Sequence, residues 1–347
     1  ERYEKVPVEE YPNNVREAVP EPVVSVHLLT YNHADYIREA IESVLMQEVD
    51  FPMEIVLGDD DSSDGTREIC IEYAEQYPDL IRLQLHHREN NIHLHGGPTH
   101  LFQYWYNTLS ARGKYIAILS GDDYWTDPLK LQKQYNFMEE NPEYSYCYHR
   151  FQRLIEAENT SGSPKMTSKY KEGWASPATI LSKNVFKKIP PVSLDVLHED
   201  TISKRMLDCL GERNLLENIE PSVYRIHQGG IYGPRQKLGK RFELFRSNVK
   251  IIPYFSDSHA ESHIRKDLDR IVKGVIRATS ALDIRFIYHV VGMAFRNEAG
   301  KQVTIVVLGE IPSWIKQRIY DIARSLLPER MYSYAKSIFS TQNNQMK

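Results

Sequence analysis

The feature that most restricts the fold is an alternation of short apolar runs with segments of helical periodicity in the first part of the chain. Segments with helical spacing of apolar residues begin near Asp35, Asp64 and His100. The alternation predicts βαβ units, and hence an α/β fold with a Rossmann-like, mainly parallel mixed sheet flanked by helices. The apolar runs typical of buried strands are residues 23–29, 53–57, 81–85 and 115–119.

Polar side chains follow each of these predicted strands. In open α/β sheets, ligands bind at the carboxyl ends of the strands. We therefore expect the polar segments to meet at one edge of the sheet and to form a single site. These segments are residues 30–32, 59–64, 88–91 and 120–123.

Changes of character along the chain predict three parts. Residues 1–22 are charged and contain proline, and we interpret them as an arm that lies on the domain or is disordered. Residues 23–233 are expected to form the α/β domain. Several segments within residues 234–347 have apolar residues at helical spacing, which predicts a C-terminal helical extension. The later elements expected in the α/β domain include strands at 144–151 and 222–227 and a helix at 177–188.

Charge and cysteine content exclude several classes of protein. A formal net charge of −4 argues against a nucleic-acid partner, because a basic groove would shift that balance. The cysteines Cys70, Cys147 and Cys209 form no CxxC pair, which fits a reducing compartment and small buried side chains. No apolar run reaches the roughly 18 residues of a membrane-spanning helix. We therefore expect a cytoplasmic protein.

Several phosphate-binding and zinc-binding motifs are missing from the sequence. It has neither a GxxxxGK[ST] loop nor a GxGxxG motif after the first strand, which argues against a P-loop ATPase and a classical dinucleotide-binding fold. Histidines are dense between His86 and His100, but they lack HExxH or paired-cysteine spacing. We expect a solvent-facing loop there rather than a zinc site.

Two acidic segments follow strands and suit a hard divalent cation. Mg²⁺ and Mn²⁺ prefer oxygen ligands and often share them with substrate phosphates. Carboxylates at a strand end would hold such an ion against a diphosphate, where the ion offsets charge on a leaving group. Residues 59–64 fit equally well a solvated turn that caps the next helix. Asp122 and Asp123 also fit a turn, although two acids between an apolar strand and two aromatic residues favour a functional role.

Two later clusters have both a catalytic and a structural interpretation. Asp200 fits a general base, because transfer to a hydroxyl group requires removal of a proton. It fits equally well a favourable negative charge at the start of a helix. His227 ends a predicted strand and precedes Gly229-Gly230. It fits a metal ligand or diphosphate contact, and it also fits a histidine with a purely structural role.

Motifs in the expected order over residues 23–230 resemble those of the family 2 glycosyltransferases. The resemblance implies a GT-A type fold and an inverting transfer of a sugar from a nucleoside diphosphate sugar, UDP-linked by family habit, to an acceptor hydroxyl. It also implies a divalent metal cofactor, Mn or Mg. The matching segments are the strand 23–26 with Thr30-Tyr31-Asn32, residues 55–66, residues 120–123, His198-Glu199-Asp200 and Tyr224-Arg225-Ile226-His227.

The resemblance further implies a role for each matching residue. Asp200 is expected to be the catalytic base, Asp123 the metal ligand, and His227 the residue that completes the metal or diphosphate site. The nucleotide-sugar-binding residues are expected to be Thr30, Tyr31 and Asn32 at the base and ribose, Asp59 and Asp60 at the base edge, Arg88 and Asn91 at the nucleotide, and Asp122 towards the ribose or donor sugar.

The chain departs from the family pattern at two positions. The acidic motif often begins with Asp where this chain has Ser120, and Gly is usual where Asp61 stands. The partners implied are a nucleotide-sugar donor and a carbohydrate or lipid-linked glycan acceptor, in polysaccharide or glycoconjugate biosynthesis. A sugar nucleotidyltransferase is an alternative, although residues 30–37 contain no Lys or Arg to hold a triphosphate. The other alternative is a degenerate, non-catalytic protein that binds a glycan or a partner.

The C-terminal helices carry an apolar stripe with basic residues nearby. Such a stripe fits packing on the catalytic domain or on a second subunit in a homo-oligomer. It also fits a peripheral contact with the inner face of the membrane, where a lipid-linked acceptor lies. The stripe is formed by Ile315, Ile319, Ile322, Ala323 and Leu326.

Overall fold

The computed structural model describes residues 4–94, 97–156, 164–171, 179–182 and 212–227. The chain divides into two units, Glu1–Pro234 and Arg235–Lys347, and every described residue lies in the first. Asp200, Cys209 and the predicted C-terminal helices lie outside the described residues. The boundaries of the three predicted parts stay predictions.

Strands and helices alternate through the described part as the sequence predicts. The strands are β1 (Glu9–Glu10), β2 (Val24–Thr30), β3 (Met53–Asp59), β4 (Ile81–Leu85), β5 (Ile92–Leu94), β6 (Gly97–Thr99), β7 (Tyr115–Ser120), β8 (Tyr144–Tyr148), β9 (Phe151–Ile155), β10 (Lys165–Met166), β11 (Thr179–Ser182), β12 (Glu212–Leu215) and β13 (Ser222–Ile226). The helices are α1 (Val15–Ala18), α2 (Ile37–Leu45), α3 (Thr66–Gln76), α4 (Leu101–Ser110) and α5 (Lys130–Glu140), with a single 3₁₀ turn at Arg88–Asn90.

Within the described ranges, the main sheet contains eight strands in the order β1-β4-β3-β2-β7-β11-β8-β12. Strands β4, β3, β2 and β7 are parallel to one another. Strand β11 is antiparallel to both of its neighbours, and β12 is parallel to β8. The fold is therefore α/β with a mainly parallel mixed sheet, which confirms the predicted fold class.

The parallel strands are buried almost throughout because helices cover both faces of the sheet. Their buried residues are mostly apolar and also include Glu54, Arg82 and Gln84. Helix α2 shows how a helix packs on the sheet: Ile37, Ala40, Ile41 and Val44 recur at helical spacing and are buried. Helix α3 begins directly after Gly65, whose φ of +100° lies in the left-handed region that glycine adopts without a steric penalty. These elements hold the loops at the carboxyl ends of the strands in place.

Two smaller sheets adjoin these loops. Strands β10, β9 and β13 form one of them, with β13 parallel to β9, and β5 and β6 form a hairpin. A bridge between Tyr124 and Val223 joins β13 to the segment after β7, with backbone N···O distances of 3.2 and 2.9 Å. The end of β13, and with it His227, is thereby brought beside the end of β7.

The arm lies on the domain where it is described, which is one of the two predicted possibilities: Glu9–Glu10 pairs with β4, and the Glu10 carboxylate binds Arg82 at 2.8 Å. Two other local predictions differ from the structure. Residues 179–182 form a strand and not part of a helix, because pairing with β7 and β8 on both sides outweighs their helical spacing. The predicted strand 144–151 is two strands in different sheets.

The described residues contain no helix that combines the length and the apolar character needed to cross a membrane. Cys70 and Cys147 are buried free thiols, as predicted. His86 was expected in a solvent-facing loop and is instead fully buried. Its Nε2 lies 2.9 Å from Oδ1 of Asn107, because the end of β4 is covered by α4.

Candidate functional site

The carboxyl ends of β2, β3 and β7 lie side by side, and their loops are tied to one another. Thr30 at the end of β2 pairs with Asp59 at the end of β3. The N–H of Asp60 donates to the carbonyl of Thr30 at 3.0 Å, and the N–H of Gly121 donates to the carbonyl of Leu29 at 2.7 Å. The two acidic loops are thus attached to consecutive residues of one strand, and the predicted polar segments meet at one edge of the sheet.

Asp60 and Asn91 form a buried polar pair at one end of this edge. Asp60 is only 3% exposed, and its Oδ2 accepts a hydrogen bond from Nδ2 of Asn91 at 3.0 Å. Burial raises the pKa of Asp60 to about 6. Among the described residues, Oδ1 of Asp60 and Oδ1 of Asn91 are buried and have no hydrogen-bond partner. Two such acceptors side by side suit the N–H edge of a nucleotide base.

Tyr31 and Arg88 lie next to this pair. The guanidinium carbon of Arg88 lies 4.4 Å from the centroid of the Tyr31 ring, a distance typical of a cation–π contact. The backbone N–H of Arg88 also approaches Oδ2 of Asp61 at 3.4 Å. Tyr31 remains partly exposed, so that a flat, solvated surface borders the Asp60–Asn91 pair.

Asp59 is engaged differently from its neighbour. Its Oδ2 accepts a hydrogen bond from Nε of Arg67 at 2.6 Å and one from the N–H of Ser62 at 3.3 Å. Arg67 also donates to the carbonyl of His86 at 2.8 Å. The Asp59 carboxylate therefore joins the acidic loop to α3 and β4, and its predicted contact with the nucleotide stays a prediction.

Hydrogen bonds between the loops after β2 and β3 fix the conformation of both loops. Asn32 accepts from the N–H of Ser63 through Oδ1 and donates its own N–H to Oγ of Ser62, both at 2.9 Å. The N–H of Ala34 donates to Oδ2 of Asp64 at 3.1 Å. Asn32 therefore shapes the cleft, and its contact with the base or ribose stays a prediction.

The departure from the family pattern at Asp61 has a conformational explanation. Asp61 has a φ of +60° and Asn32 a φ of +51°. This is the left-handed region, which Asp and Asn tolerate better than other non-glycine residues. The turn that glycine usually makes is therefore retained with Asp in its place.

Three side chains from distant segments converge at the other end of the edge. Asp122, after β7, places Oδ2 3.1 Å from Nε2 of His227, which directly follows β13. The ring centroid of His33, from the loop after β2, lies 6.0 Å from that of His227. One ligand atom from each of the three side chains lies within 4.8 Å of the other two. The group has the composition and spacing of a metal centre.

The charge states of this cluster suit a cation. Burial lowers the pKa of His33, so that its ring is neutral at neutral pH. Burial alone would raise the pKa of Asp122, but the hydrogen bond from His227 leaves that pKa lowered. A neutral imidazole beside an ionised carboxylate is the protonation state in which both groups bind a metal.

Asp123, the predicted metal ligand, takes a different position from Asp122. It is buried, and its Oδ1 accepts a hydrogen bond from the backbone N–H of Arg225 at 2.9 Å. The prediction combined Asp123 with His227, whereas the structure pairs His227 with Asp122. The metal-ligand role of Asp123 stays a prediction.

Arg225 holds this end of the cleft together. Its Nε donates to the carbonyl of Asp122 at 2.9 Å, and its guanidinium lies 4.7 Å from the ring centroid of Tyr36. It also forms ion pairs with Glu39 and Glu156. These contacts connect β13, the turn after β7, α2 and β9.

Gly121 leaves the space between the loops open. A Cβ atom at this position would lie 2.7 Å from Oγ1 of Thr30 and 3.0 Å from Nδ1 of His33. Both of those atoms are buried and lack a hydrogen-bond partner among the described residues. Glycine thus preserves a polar recess next to Asp122, and a metal ion with its phosphate ligands fits the chemistry of these atoms.

Sequence patterns did not identify His33 or Arg67 as site residues. They also did not predict that Arg225 holds the end of the cleft together. His33 lies directly after the Thr30-Tyr31-Asn32 motif, and this adjacency was the available signal. Arg225 was included in a matching motif but received no role. Arg67 looks like any exposed first-turn residue of a helix, so that no local signal marks its pairing with Asp59.

Comparison with known sequences finds similarity over the first part of the chain. Residues 25–193 match the sequence model described as glycosyl transferase family 2. An uncharacterised protein of Mycobacterium tuberculosis is 40% identical over 133 residues, which are 38% of this chain and 36% of that protein. The minor teichoic acid biosynthesis protein GgaA of Bacillus subtilis is 33% identical over 115 residues, which are 33% of this chain and 24% of that protein. The chain therefore matches about a third or less of the length of these curated relatives.

Comparison with solved structures finds a similar fold. The crystal structure of S. aureus TarS 1–349 in complex with UDP aligns with a TM-score of 0.55 at 17% sequence identity. The alignment covers 92% of this chain and 91% of that chain. At this level of identity the likeness concerns the fold.

Proposed function

Residues 25–193 are a family 2 glycosyltransferase region of GT-A fold, and on this premise we propose that the protein is an inverting transferase that moves a sugar from a nucleoside diphosphate sugar to an acceptor hydroxyl. The observation that carries the proposal is the attachment of both acidic loops to one strand end. The backbone N–H of Asp60 donates to the carbonyl of Thr30. The backbone N–H of Gly121, the residue before Asp122, donates to the carbonyl of Leu29. A base pocket and a cation site on the two strands that flank β2 match the two ends of a nucleoside diphosphate.

The donor that suits the base pocket is a UDP-sugar. The free, buried acceptors on Asp60 and Asn91 suit a base that offers an N–H group on its pairing edge, as uracil does. Tyr31 and Arg88 supply a flat surface beside it. S. aureus TarS, which has a similar fold, has been solved in complex with UDP, and this supports the choice of a UDP-sugar.

A divalent ion is proposed at the opposite end, held by Asp122 and His227. When bound, such an ion would stabilise the negative charge of the departing diphosphate. The chain's own groups provide the setting: Asp122 is ionised, Arg225 fixes the turn that carries it, and Gly121 keeps the recess open. We propose Mn²⁺ or Mg²⁺ as the ion.

The remaining roles rest on the sequence. Asp200 is proposed as the base that takes the proton from the acceptor hydroxyl. The acceptor is proposed to be a carbohydrate or a lipid-linked glycan, in the biosynthesis of a cell-surface polysaccharide, and the similarity to a teichoic acid biosynthesis protein supports this class. Location in the cytoplasm, at the inner face of the membrane, stays a prediction.

The test is a binding and hydrolysis screen on the full chain. UDP-sugars and GDP-sugars are titrated by calorimetry with Mn²⁺ or Mg²⁺ present, and release of the nucleoside diphosphate is followed in the absence and presence of glycan acceptors. We expect metal-dependent binding of a UDP-sugar. Asp122→Asn is expected to weaken it by at least about tenfold, as loss of a ligand does at metal sites. Asp60→Asn is expected to weaken it to a similar extent, because it removes a charged acceptor for the base N–H.

The matched control is Asp79→Asn, which removes an exposed carboxylate away from the cleft. It should bind the donor as the wild type does. The proposal fails if no nucleotide sugar binds with either metal while the protein is folded. Turnover of nucleoside triphosphates with sugar phosphates would instead identify a nucleotidyltransferase.

A further inference from the structure

The arrangement of His33, Asp122 and His227 carries more information than the presence of a metal site. The ligand atoms of the three residues lie within 4.8 Å of one another, and Oδ2 of Asp122 lies 3.1 Å from Nε2 of His227. Atoms that share a metal at about 2.0–2.2 Å are at most about 4.4 Å apart. At most one pair of three ligands can lie at this largest separation, so the three side chains would move closer together by side-chain adjustment when they bind one ion.

Nδ1 of His33 is buried and makes no hydrogen bond within the described part of the chain. A buried polar atom without a partner is costly, and a ligand at that atom removes the cost. Gly121 supports this interpretation, because a side chain there would approach Nδ1 of His33 to 3.0 Å and occupy the space beside it.

The backbone of His33 is held in place before any ligand arrives. Its N–H donates to Oγ1 of Thr66 at 2.7 Å, and the N–H of Ala34 donates to Oδ2 of Asp64 at 3.1 Å. The ring neighbours those of Tyr36 and His227, with centroid distances of 6.3 and 6.0 Å. The imidazole is therefore positioned by the acidic loop and by aromatic neighbours, as preorganised metal ligands are.

From this geometry we propose that His33 is a third protein ligand of the metal, and that the site selects a transition-metal ion over Mg²⁺. Imidazole nitrogens suit ions such as Mn²⁺, Co²⁺ and Zn²⁺ increasingly along that series, whereas Mg²⁺ requires oxygen ligands in strict octahedral geometry. Two imidazoles and one carboxylate give a mixed nitrogen and oxygen donor set. The inference rests on the proposed function only in that a donor diphosphate would complete the coordination.

The experiment titrates the full chain, free of any purification tag, with Mn²⁺, Zn²⁺ or Mg²⁺ alone by calorimetry. Co²⁺ is added in parallel and its visible absorption bands report imidazole coordination. We expect the wild type to bind Mn²⁺ and Zn²⁺ at least about tenfold more tightly than Mg²⁺. His33→Ala should weaken Mn²⁺ and Zn²⁺ binding at least about tenfold, leave Mg²⁺ binding unchanged and alter the Co²⁺ spectrum.

Two further variants make the result decisive. His93→Ala removes an exposed imidazole outside the cluster and should behave as the wild type. His33→Asn keeps a polar side chain in the same space and should reproduce the loss seen with His33→Ala. The inference is wrong if His33→Ala binds every metal as the wild type does, if it weakens UDP binding without changing metal affinity, or if the wild type prefers Mg²⁺.

Metal titrations without nucleotide separate this inference from the proposed function. Binding of Zn²⁺ through His33 together with no binding of any nucleotide sugar would overturn the function and leave the site standing. Metal-dependent sugar transfer that is unchanged in His33→Ala would support the proposed function and overturn the role of His33 as a metal ligand.

Discussion

Arg225 donates its backbone N–H to Oδ1 of Asp123 at 2.9 Å, although the two residues lie 102 positions apart in the sequence. The same arginine donates Nε to the carbonyl of Asp122 at 2.9 Å. One residue on β13 thereby fixes both acids of the turn after β7. The geometry of the proposed metal site depends on this contact as much as on the acids themselves.

Replacement of Arg225 by Met is expected to weaken both metal binding and stability. The variant removes the support of Asp122 and leaves Glu156 without its cation, while the backbone bond to Asp123 can persist. We expect the free energy of unfolding to fall by about 1–3 kcal/mol, measured by urea denaturation. The control is Arg38→Met, which breaks the exposed ion pair with Glu72 and should cause no measurable change. Equal stability of both variants would show that the Arg225 contacts are incidental.

Asp60 is expected to make stability depend on pH. Its pKa is raised from the usual value of 3.8 to about 6, first of all by burial, so that ionisation is less favourable in the folded state than in the unfolded state. The stability linked to Asp60 is therefore fully present below about pH 4 and is lost as the pH rises through about 6.

Asp60→Asn removes this dependence, because the amide does not ionise. We expect the variant to be more stable than the wild type by about 3 kcal/mol at pH 8 and equal to it at pH 3.5, from urea denaturation at both pH values. Asp79→Asn, at an exposed position, should show no such difference. A stability gain that is the same at both pH values would contradict the raised pKa.

Gly121→Ala is expected to impair binding more than folding. The new methyl group would lie 2.7 Å from Oγ1 of Thr30 and 3.0 Å from Nδ1 of His33, in the recess beside Asp122. We expect affinity for Mn²⁺ with UDP to fall by at least about tenfold in calorimetry. Gly65→Ala should give the complementary result. Gly65 has open space around it but a φ of +100°, so the substitution should lower the free energy of unfolding by about 1 kcal/mol and leave the affinity for Mn²⁺ with UDP unchanged.

Asp200→Asn tests the proposed catalytic base. The amide keeps the size of the side chain but does not accept the proton of the acceptor hydroxyl. We expect sugar transfer to fall by roughly a hundredfold or more, the usual contribution of a general base, with unchanged affinity for the nucleotide sugar. Asp208→Asn, a second acid in the same stretch of sequence, serves as the control. Near-normal transfer by Asp200→Asn would remove Asp200 from the mechanism.

The order of strands and helices could be predicted because it depends on local periodicity. A buried strand leaves a short run rich in apolar residues, and a helix that covers it carries an apolar stripe, so each leaves its own pattern in a short window. Residues 179–182 were predicted wrongly as part of a helix by their local spacing. Their place between β7 and β8 comes from pairing with strands far away in the sequence, and no local pattern records that pairing.

The sequence by itself determined the chemistry available at the sheet edge: acids, amides and an arginine after successive strands, and an acid pair followed much later by a histidine. Only the tertiary structure decided which of these side chains meet. It placed Asp59 with Arg67, turned Asp122 rather than Asp123 towards His227, and added His33 to that pair. The physical reason is that the direction of a side chain after a strand depends on loop hydrogen bonds and on contacts with distant segments, whereas the order of residues specifies only which groups are near that end.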